Sequence, residues 1–325
     1  MRKNYIVVFT LITAAVLIGG ILTYTFIIRK DQEKEEEEGA GYPPPSKLSS
    51  VNDWLCVYSN VTADALINTD FDLVDIDPDE FTSEEIVNIR NSGKIVIAYI
   101  NIGWAENWRS YWNNSWVDEN GMPVEGAAPD WLLSPQDVNW PGEYYVNYSS
   151  QDWKNMVYSS IDVICSKGFD GVYMDNIEAG YQKKQEIVDE GDLSGGIYAN
   201  CTKENMITFV KEISAKYRND SFYMIPQNGL DIVNDVMDYI DGVGVEETYY
   251  MDTDVKQDEN VTLEKESYMD TVVNANKIVL TLDYAVTKSN IDDCYNRAKS
   301  KGYVPYVSVV ELDRIIINPG HEPDK

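Results

Sequence analysis

Between residues 51 and 314 the chain alternates two hydrophobic patterns. Short apolar runs rich in β-branched and aromatic residues cover 54–59, 72–76, 95–101, 171–175, 222–226, 242–246, 278–283 and 304–310. Each is followed by a segment in which apolar residues return at helical spacing or by a polar connection. The spacing predicts helices over 82–91, with Ser83 as cap and Gly93 as stop, over 150–167, with Trp153, Met156, Val157, Ile161 and Ile164 on one face, and over 202–217, with Met206, Phe209, Val210 and Ile213. Strand followed by crossover helix is the signature of parallel pairing. Eight such runs, with no Gly-rich phosphate loop after the first, predict an α/β fold closed as a (β/α)8 TIM barrel. The stretch 103–148 is too long for an ordinary connection and is crowded with Trp and Tyr, which marks it as functional.

The apolar pattern at the start is of another kind. From Tyr5 to Ile28 the tyrosines are the only ionisable side chains. As a helix of ~1.5 Å rise per residue this segment is roughly 36 Å long, enough to cross a hydrocarbon layer of ~30 Å. It exceeds the ~7–15 residue core of a cleavable signal, so an uncleaved single N-terminal transmembrane helix is expected in preference to a secreted, processed chain. Arg2 and Lys3 before the span favour a cytoplasmic N-terminus and a remainder outside the membrane. The acidic, Pro-rich stretch after it reads as an extended tether. The expected organisation is a membrane anchor over 1–30, a linker over 31–50 and a barrel over 51–325, with folding starting near Val51.

The formal charge is −29, and residues 1–40 carry five basic against six acidic side chains, so nearly all of the acidity belongs to the barrel. A nucleic-acid partner is excluded on that ground, since a polyanion would be repelled. A cationic polymer fits, as does simple solubility in a salty medium. The single histidine, His321, stands in the tail, which excludes Ser-His-Asp, Cys-His and multi-histidine metal chemistry. Four cysteines, Cys56, Cys165, Cys201 and Cys294, form no CxxC pair; Cys56 and Cys165 lie in apolar patterns that suit buried thiols. Asn-x-Ser/Thr triplets at Asn60, Asn113, Asn147, Asn200, Asn219 and Asn260 agree with an outside location.

In a (β/α)8 barrel the carboxyl ends of the strands converge on one mouth. Here those ends are acidic: Asp75 and Asp77 at the second, Asp175 at the fourth, Glu246 and Glu247 at the sixth, Asp283 at the seventh. Gln227 and Asn228 at the fifth offer amides suited to sugar hydroxyls. Carboxylates without histidine fit two chemistries, glycosyl transfer by a carboxylate pair or binding of a hard divalent cation. The aromatic residues Trp104, Trp108, Tyr111, Trp112, Trp116, Trp131 and Trp140 favour the first, because flat rings stack on sugars; about half are expected to be structural. For Asp175 a catalytic role is preferred to the alternative of capping the next helix, and Glu246 is preferred to Glu247 because it continues the alternation of its strand.

At these residues the chain resembles a known family. The segments VIAYINIGWAENWRSYW, GFDGVYMDN, FYMIPQNG, DGVGVEETYY, VLTLDY and GYVPYVSVVELDRI are similar to those of the endo-α-1,4-polygalactosaminidases, glycoside hydrolase family 114, over residues 51–314. The resemblance implies a (β/α)8 fold, hydrolysis of an α-linked amino-sugar polymer, a catalytic Asp at Asp175 and a catalytic Glu at Glu246. It gives Glu106 and Arg109 a role in substrate contact or scaffolding. Asp75, Tyr99, Asn101, Trp104, Asn176, Gln227, Asn228, Glu247, Tyr249 and Asp283 are taken with them as the substrate-binding set. Glu178 in DNIEAG departs from relatives that carry Asp followed by an aromatic. By analogy with other barrel glycosidases the reaction would be retaining, with no cofactor and no metal. The implied partner is a polysaccharide, with a cationic galactosamine polymer as the named case. Two alternatives stay open: a non-catalytic cell-surface sugar-binding barrel, and a divalent-cation hydrolase built on Asp75, Asp175, Glu246 and Asp283.

Overall fold

The computed structural model describes residues 47–137 and 140–324. Eight parallel strands form its centre among the described residues. They are β1 (Trp54–Val57), β2 (Leu73–Ile76), β3 (Ile95–Asn101), β7 (Gly171–Asp175), β8 (Tyr223–Pro226), β9 (Gly242–Glu246), β12 (Ile278–Tyr284) and β13 (Val304–Ser308). Hydrogen-bond ladders join them as two sheets, β1-β2-β3-β7-β8 and β9-β12-β13. A lone parallel bridge, Gln227 to Gly244, connects the sheets at one side, and β13 lies beside β1 at the other. The result is an α/β, TIM-barrel-like ring whose strands coincide with the eight apolar runs.

The helices include α1 (Ala63–Ile67), α2 (Ser83–Asn91), α3 (Gln151–Lys167), α4 (Ala179–Asp189), α5 (Lys203–Tyr217), α6 (Val233–Val236), α7 (Glu259–Asn274) and α8 (Lys288–Ser300). Thr82, not Ser83, caps α2: its hydroxyl accepts from the Glu85 N–H while the Glu85 carboxylate takes the Thr82 N–H, a reciprocal box one residue earlier than the expected cap. Two ion pairs fasten strands to helices at the opposite end from the site. Arg90 grips Asp170, which also accepts the Val96 N–H at 3.0 Å; Arg218 grips Asp241, which accepts the Met224 N–H at 2.8 Å.

The stretch 103–148 is not a loop. It holds an antiparallel sheet ordered β4-β6-β5, from β4 (Trp104–Glu106), β5 (Leu132–Gln136) and β6 (Glu143–Val146). Its strands are too short and too interrupted to show a period. As expected, the aromatic residues divide: Trp131 packs against Trp153 at 4.9 Å and Trp112 stacks on Tyr144 at 4.7 Å, while Trp108 and Trp140 stay half exposed. A small hairpin, β10 (Tyr250–Met251) with β11 (Val255–Lys256), follows β9.

Three of the four cysteines are buried, but Cys165 is exposed, because it falls on the outer face of α3, and all four are free thiols. Lys47–Ser50 form a 3-10 turn that already buries Leu48, ahead of Val51. No helix among the described residues is long and apolar enough to cross a membrane. The anchor expected over 1–30, and the linker up to residue 46, lie outside the described residues.

Inside the ring, Trp54 meets Tyr173 at 6.0 Å and Tyr306 at 6.1 Å, all fully buried. Gly244 on β9 leaves room for this packing: a Cβ there would stand 1.9 Å from the Tyr173 hydroxyl and 2.2 Å from its Cζ. Gly244→Ala is therefore expected to cost about 1–3 kcal/mol, the usual range for overpacking a core. In a Tyr173→Leu background the same change should cost markedly less. Urea unfolding of the four proteins of this cycle measures it; equal costs in both backgrounds would show that Tyr173 is not the obstacle.

Candidate active site

The carboxyl end of β7 presents Asp175. One of its oxygens, Oδ2, accepts the Tyr99 hydroxyl at 2.9 Å and the Asn176 amide at 3.3 Å; Oδ1 accepts the Asn176 N–H at 2.7 Å. The side chain does not cap α4, whose N-cap is Glu178. Two backbone features fix it. Asn176 takes a left-handed conformation at φ 58°, and Gly103 lets β3's exit pass so close that a Cβ there would lie 1.9 Å from the Asn176 carbonyl oxygen. Burial, and after it the negative charge of Glu246, push the Asp175 carboxyl above the usual carboxylate range.

Glu246 ends β9 on the second sheet. Its Oε1 accepts the Tyr284 hydroxyl, and its Oε2 accepts the Asn228 amide at 3.3 Å. Asn228, itself at φ 59°, also accepts the Glu246 N–H at 3.0 Å and donates its own N–H to the Gly244 carbonyl at 2.8 Å. Burial raises the Glu246 carboxyl, the Tyr284 and Asn228 bonds oppose the rise, and the Glu247 charge adds to it. Each carboxyl thus has one tyrosine and one asparagine as donors.

The other expected residues separate into two groups. Asn228 and Glu247 line a cleft of about 420 Å³ with Glu246, beside Glu178, Gln182, Asp231 and Lys265. Arg109, Glu106, Tyr99 and Asn101 line a different cavity, of about 180 Å³, against α3. Arg109 bonds Glu106 at 2.6 Å, Asp77 at 2.7 Å and Asp79 at 3.0 Å, and lies 5.7 Å over the Tyr99 ring. It braces the tyrosine that holds Asp175. Asn101 accepts the Trp104 N–H at 2.8 Å, and Trp104 is buried against Tyr145 at 5.0 Å. Gln227 is buried and continues β8.

Three residues of the expected substrate set are sealed from solvent. Asp75 is fully buried, accepts the Tyr58 hydroxyl at 2.7 Å, and is driven well up by burial. Asp283 is fully buried and accepts the N–H groups of Tyr249 at 2.6 Å and Tyr250 at 2.9 Å; burial pushes it up to about 6. Tyr249 is fully buried with Arg297 over its ring at 4.5 Å. These side chains position the mouth instead of touching what enters it, because nothing outside reaches them.

Sequence reasoning missed four groups. Tyr284 follows Asp283 directly. Glu143 pairs with Glu106 between β6 and β4, and burial, with the charges of Glu106 and Asp175, pushes it up to about 9. Glu178, noted only as a departure, lines the cleft. Lys265, on α7, is a base in the wall of the Glu246 cleft: its ammonium donates to the carbonyl oxygens of Glu246 at 2.8 Å and Glu247 at 3.1 Å. Hydrogen bonds from a charged donor contribute about 1.5–3 kcal/mol, so Lys265→Met should lower the unfolding free energy by about that much. Calorimetric melting tests it, and a melting temperature equal to that of the unaltered protein would remove the brace from the account.

The chain is similar to known proteins in sequence and in fold. The sequence profile of Glycoside-hydrolase family GH114 matches residues 33–322. A protein of Methanocaldococcus jannaschii is 33% identical over 81% of this chain and 77% of its own, and one of Thermotoga maritima is 30% identical over 84% and 85%. Among solved structures, the glycoside hydrolase domain of PelA from Pseudomonas aeruginosa aligns with a TM-score of 0.61 at 12% identity, over 82% of this chain and 98% of that domain. Aspergillus fumigatus Ega3, solved as a complex with galactosamine, aligns with a TM-score of 0.60 at 19% identity, over 84% and 96%. At such identities the two structures speak for the fold. The match along the sequence speaks for descent, and by it this chain belongs to glycoside hydrolase family GH114.

Proposed function

We propose that this glycoside hydrolase cleaves an α-linked amino-sugar polysaccharide outside the cytoplasm, with Asp175 and Glu246 as its reacting carboxyls and retention at the anomeric carbon. The observation that carries the reading is the pair itself. Two half-buried carboxyls end strands of the two sheets, each tied by a tyrosine hydroxyl, and the charge of Glu246 raises the proton affinity of Asp175. A pair so coupled holds one proton more readily than none, which is the state the first step needs: one carboxylate and one carboxylic acid.

In that step the Asp175 carboxylate attacks the anomeric carbon as the glycosidic bond breaks, and the Glu246 proton passes to the departing oxygen. The covalent glycosyl ester is then opened by water, whose proton returns to Glu246. Tyr99 and the Asn176 groups keep Asp175 oriented, and Tyr284 and Asn228 do the same for Glu246. The galactosamine held by Ega3 and the acidic lining of the Glu246 cleft support an amino sugar as substrate. The outside location rests on the apolar segment 5–28 and the Asn-x-Ser/Thr triplets.

Asp175→Asn and Glu246→Gln should each lower kcat by at least about 100-fold on a de-N-acetylated galactosamine polymer while leaving the melting temperature nearly unchanged. Glu247→Gln should be milder. Reducing-end release measures it; full activity in either of the first two ends the assignment. Proton NMR of the first-formed product anomer decides between retention and inversion.

The tyrosines give a signed pH test. Both donate to the charged form of their carboxyl, so removing either hydroxyl raises the proton affinity of its partner. Tyr99→Phe should move the acidic limb of the kcat/KM profile to higher pH, because Asp175 must be ionised to attack. Tyr284→Phe should move the basic limb to higher pH, because Glu246 must keep its proton. A shift of the same limb in both variants would contradict the separate roles.

A further inference from the structure

The cleft beside Glu246 has one cation among its described lining residues, Lys265. This lysine stands half-buried in the middle of α7. Its ammonium donates to the main-chain oxygens of Glu246 at 2.8 Å and Glu247 at 3.1 Å, and among the described residues no carboxylate pairs with it. The segment it grips is held elsewhere as well. The Glu247 N–H donates to the Leu282 carbonyl at 2.8 Å, and the Gln257 amide donates to the Glu247 carbonyl at 3.1 Å. Glu247 itself lies in the left-handed region at φ 51°, a conformation that a residue with a side chain keeps where its surroundings enforce it.

A cation so placed differs from one in an ion pair. A lysine bonded to the carboxylate itself would fix the acid as an anion and take it out of use as a proton donor. Bonded to the carbonyl oxygens, it acts on the carboxyl through space, with a strength that falls with distance. We propose that Lys265 is a positioning residue for the proton donor: it holds the main chain of Glu246 and Glu247 in place and sets one positive charge beside the Glu246 carboxyl without capturing it, so that the acid can release its proton. The inference rests on the reading of Glu246 as the acid of the proposed reaction.

The surroundings of Glu246 show what the charge opposes. Asp175 and the Tyr173 phenol feel the charge of Glu246 from β7 and the Cys56 thiol from β1; the Tyr284 hydroxyl meets it from β12, Glu178 from the head of α4, and Glu247 follows it in the chain. All of these are neutral or negative. Burial drives the Glu246 carboxyl up, the Tyr284 and Asn228 bonds draw it down, the Glu247 charge raises it and Lys265 lowers it. Burial also lowers the proton affinity of Lys265, and the charges of Glu247, Asp283, Glu246 and Glu178 restore part of it. The sign follows: removing the positive charge raises the proton affinity of Glu246.

The test reads the ionisation of Glu246 directly, with no turnover. The full chain, isotope-labelled at its glutamate side-chain carboxyl carbons, is titrated by NMR, and the Glu246 signal is assigned by its loss in Glu246→Gln. Each variant is made in an Asp175→Asn background, where the neighbouring acid adds no step of its own. Lys265→Met should move the Glu246 midpoint upward by at least about one pH unit, as the loss of a nearby charge in a half-buried site does. Lys265→Arg, which keeps the charge, should leave the midpoint where the lysine has it. Lys265→Gln keeps an N–H for the carbonyls but no charge; it should behave as Lys265→Met, and it carries the test should that variant not fold. A midpoint unmoved in the neutral variants would reduce Lys265 to a brace and overturn the proposal. An upward shift in Lys265→Arg as large as in Lys265→Met would overturn it too, since the charge would then not be the cause. Because no bond is cleaved, failure of Glu246 as the acid would show in the turnover of Glu246→Gln and leave the midpoint shift standing.

Discussion

A carboxylate withdrawn from water must be given donors, and most of the architecture around the mouth of this ring answers that requirement. The acids at the strand ends are buried or half-buried, and each meets a hydroxyl, an amide or a guanidinium: Tyr58 at Asp75, Tyr99 at Asp175, Tyr284 at Glu246, backbone N–H groups at Asp283 and Arg109 at Glu106. Mostly these donors are neutral. A neutral donor steadies a carboxylate without fixing it as an anion, so proton affinities stay high. An arginine at Asp175 or Glu246 would have held the acid permanently ionised and removed its use as a proton donor.

The same requirement accounts for the tyrosines. A tyrosine fills the ring's interior with a large apolar face and still carries a hydroxyl to its rim, so one residue type does the packing and the hydrogen bonding. Tyr99 shows both: its ring lies 4.6 Å from that of Tyr58 while its hydroxyl reaches Asp175. Arg109, paired with three carboxylates, stands behind the ring and not in front of it. Of the two roles the sequence suggests for this base, substrate contact or scaffolding, its pairing with three carboxylates behind Tyr99 fits the second.

Much of this was legible in the sequence, for identifiable reasons. The eight strands announce themselves because each is a β-branched run with turn chemistry beyond it, and the carboxyl-end rule then points at Asp175 and Glu246. What was lost was lost to register and to distance. Ending the seventh run one residue early selects Asp283 over Tyr284, and because successive side chains of a strand face opposite ways, that slip exchanges an acid that holds a loop for the hydroxyl that holds Glu246. Lys265 acts through backbone carbonyls, which carry no residue-type signal, from a helix nearly twenty positions downstream. Glu143 sits in a sheet whose strands are four residues or fewer on its own pair. Tyr249 alternates with Glu247 in sequence, yet the hairpin after β9 turns it inward onto Arg297.

The two sheets of the ring meet between β8 and β9 through one parallel bridge, and Asp175 belongs to one sheet and Glu246 to the other. The gap between the two carboxyls is consequently a property of a joint, and not of a continuous ladder. Asn228 is the pin of that joint, bonded to Gly244 and to both the backbone and the side chain of Glu246. Whether a sugar is attacked directly by a carboxylate or by an intervening water is a question of a few ångströms across that gap. In this ring that distance follows from how the two sheets seat on each other, through Asn228 at the site end and the Asp241 N–H on the Met224 carbonyl at the other, so a change at the joint is a short evolutionary path between two stereochemical outcomes on one scaffold.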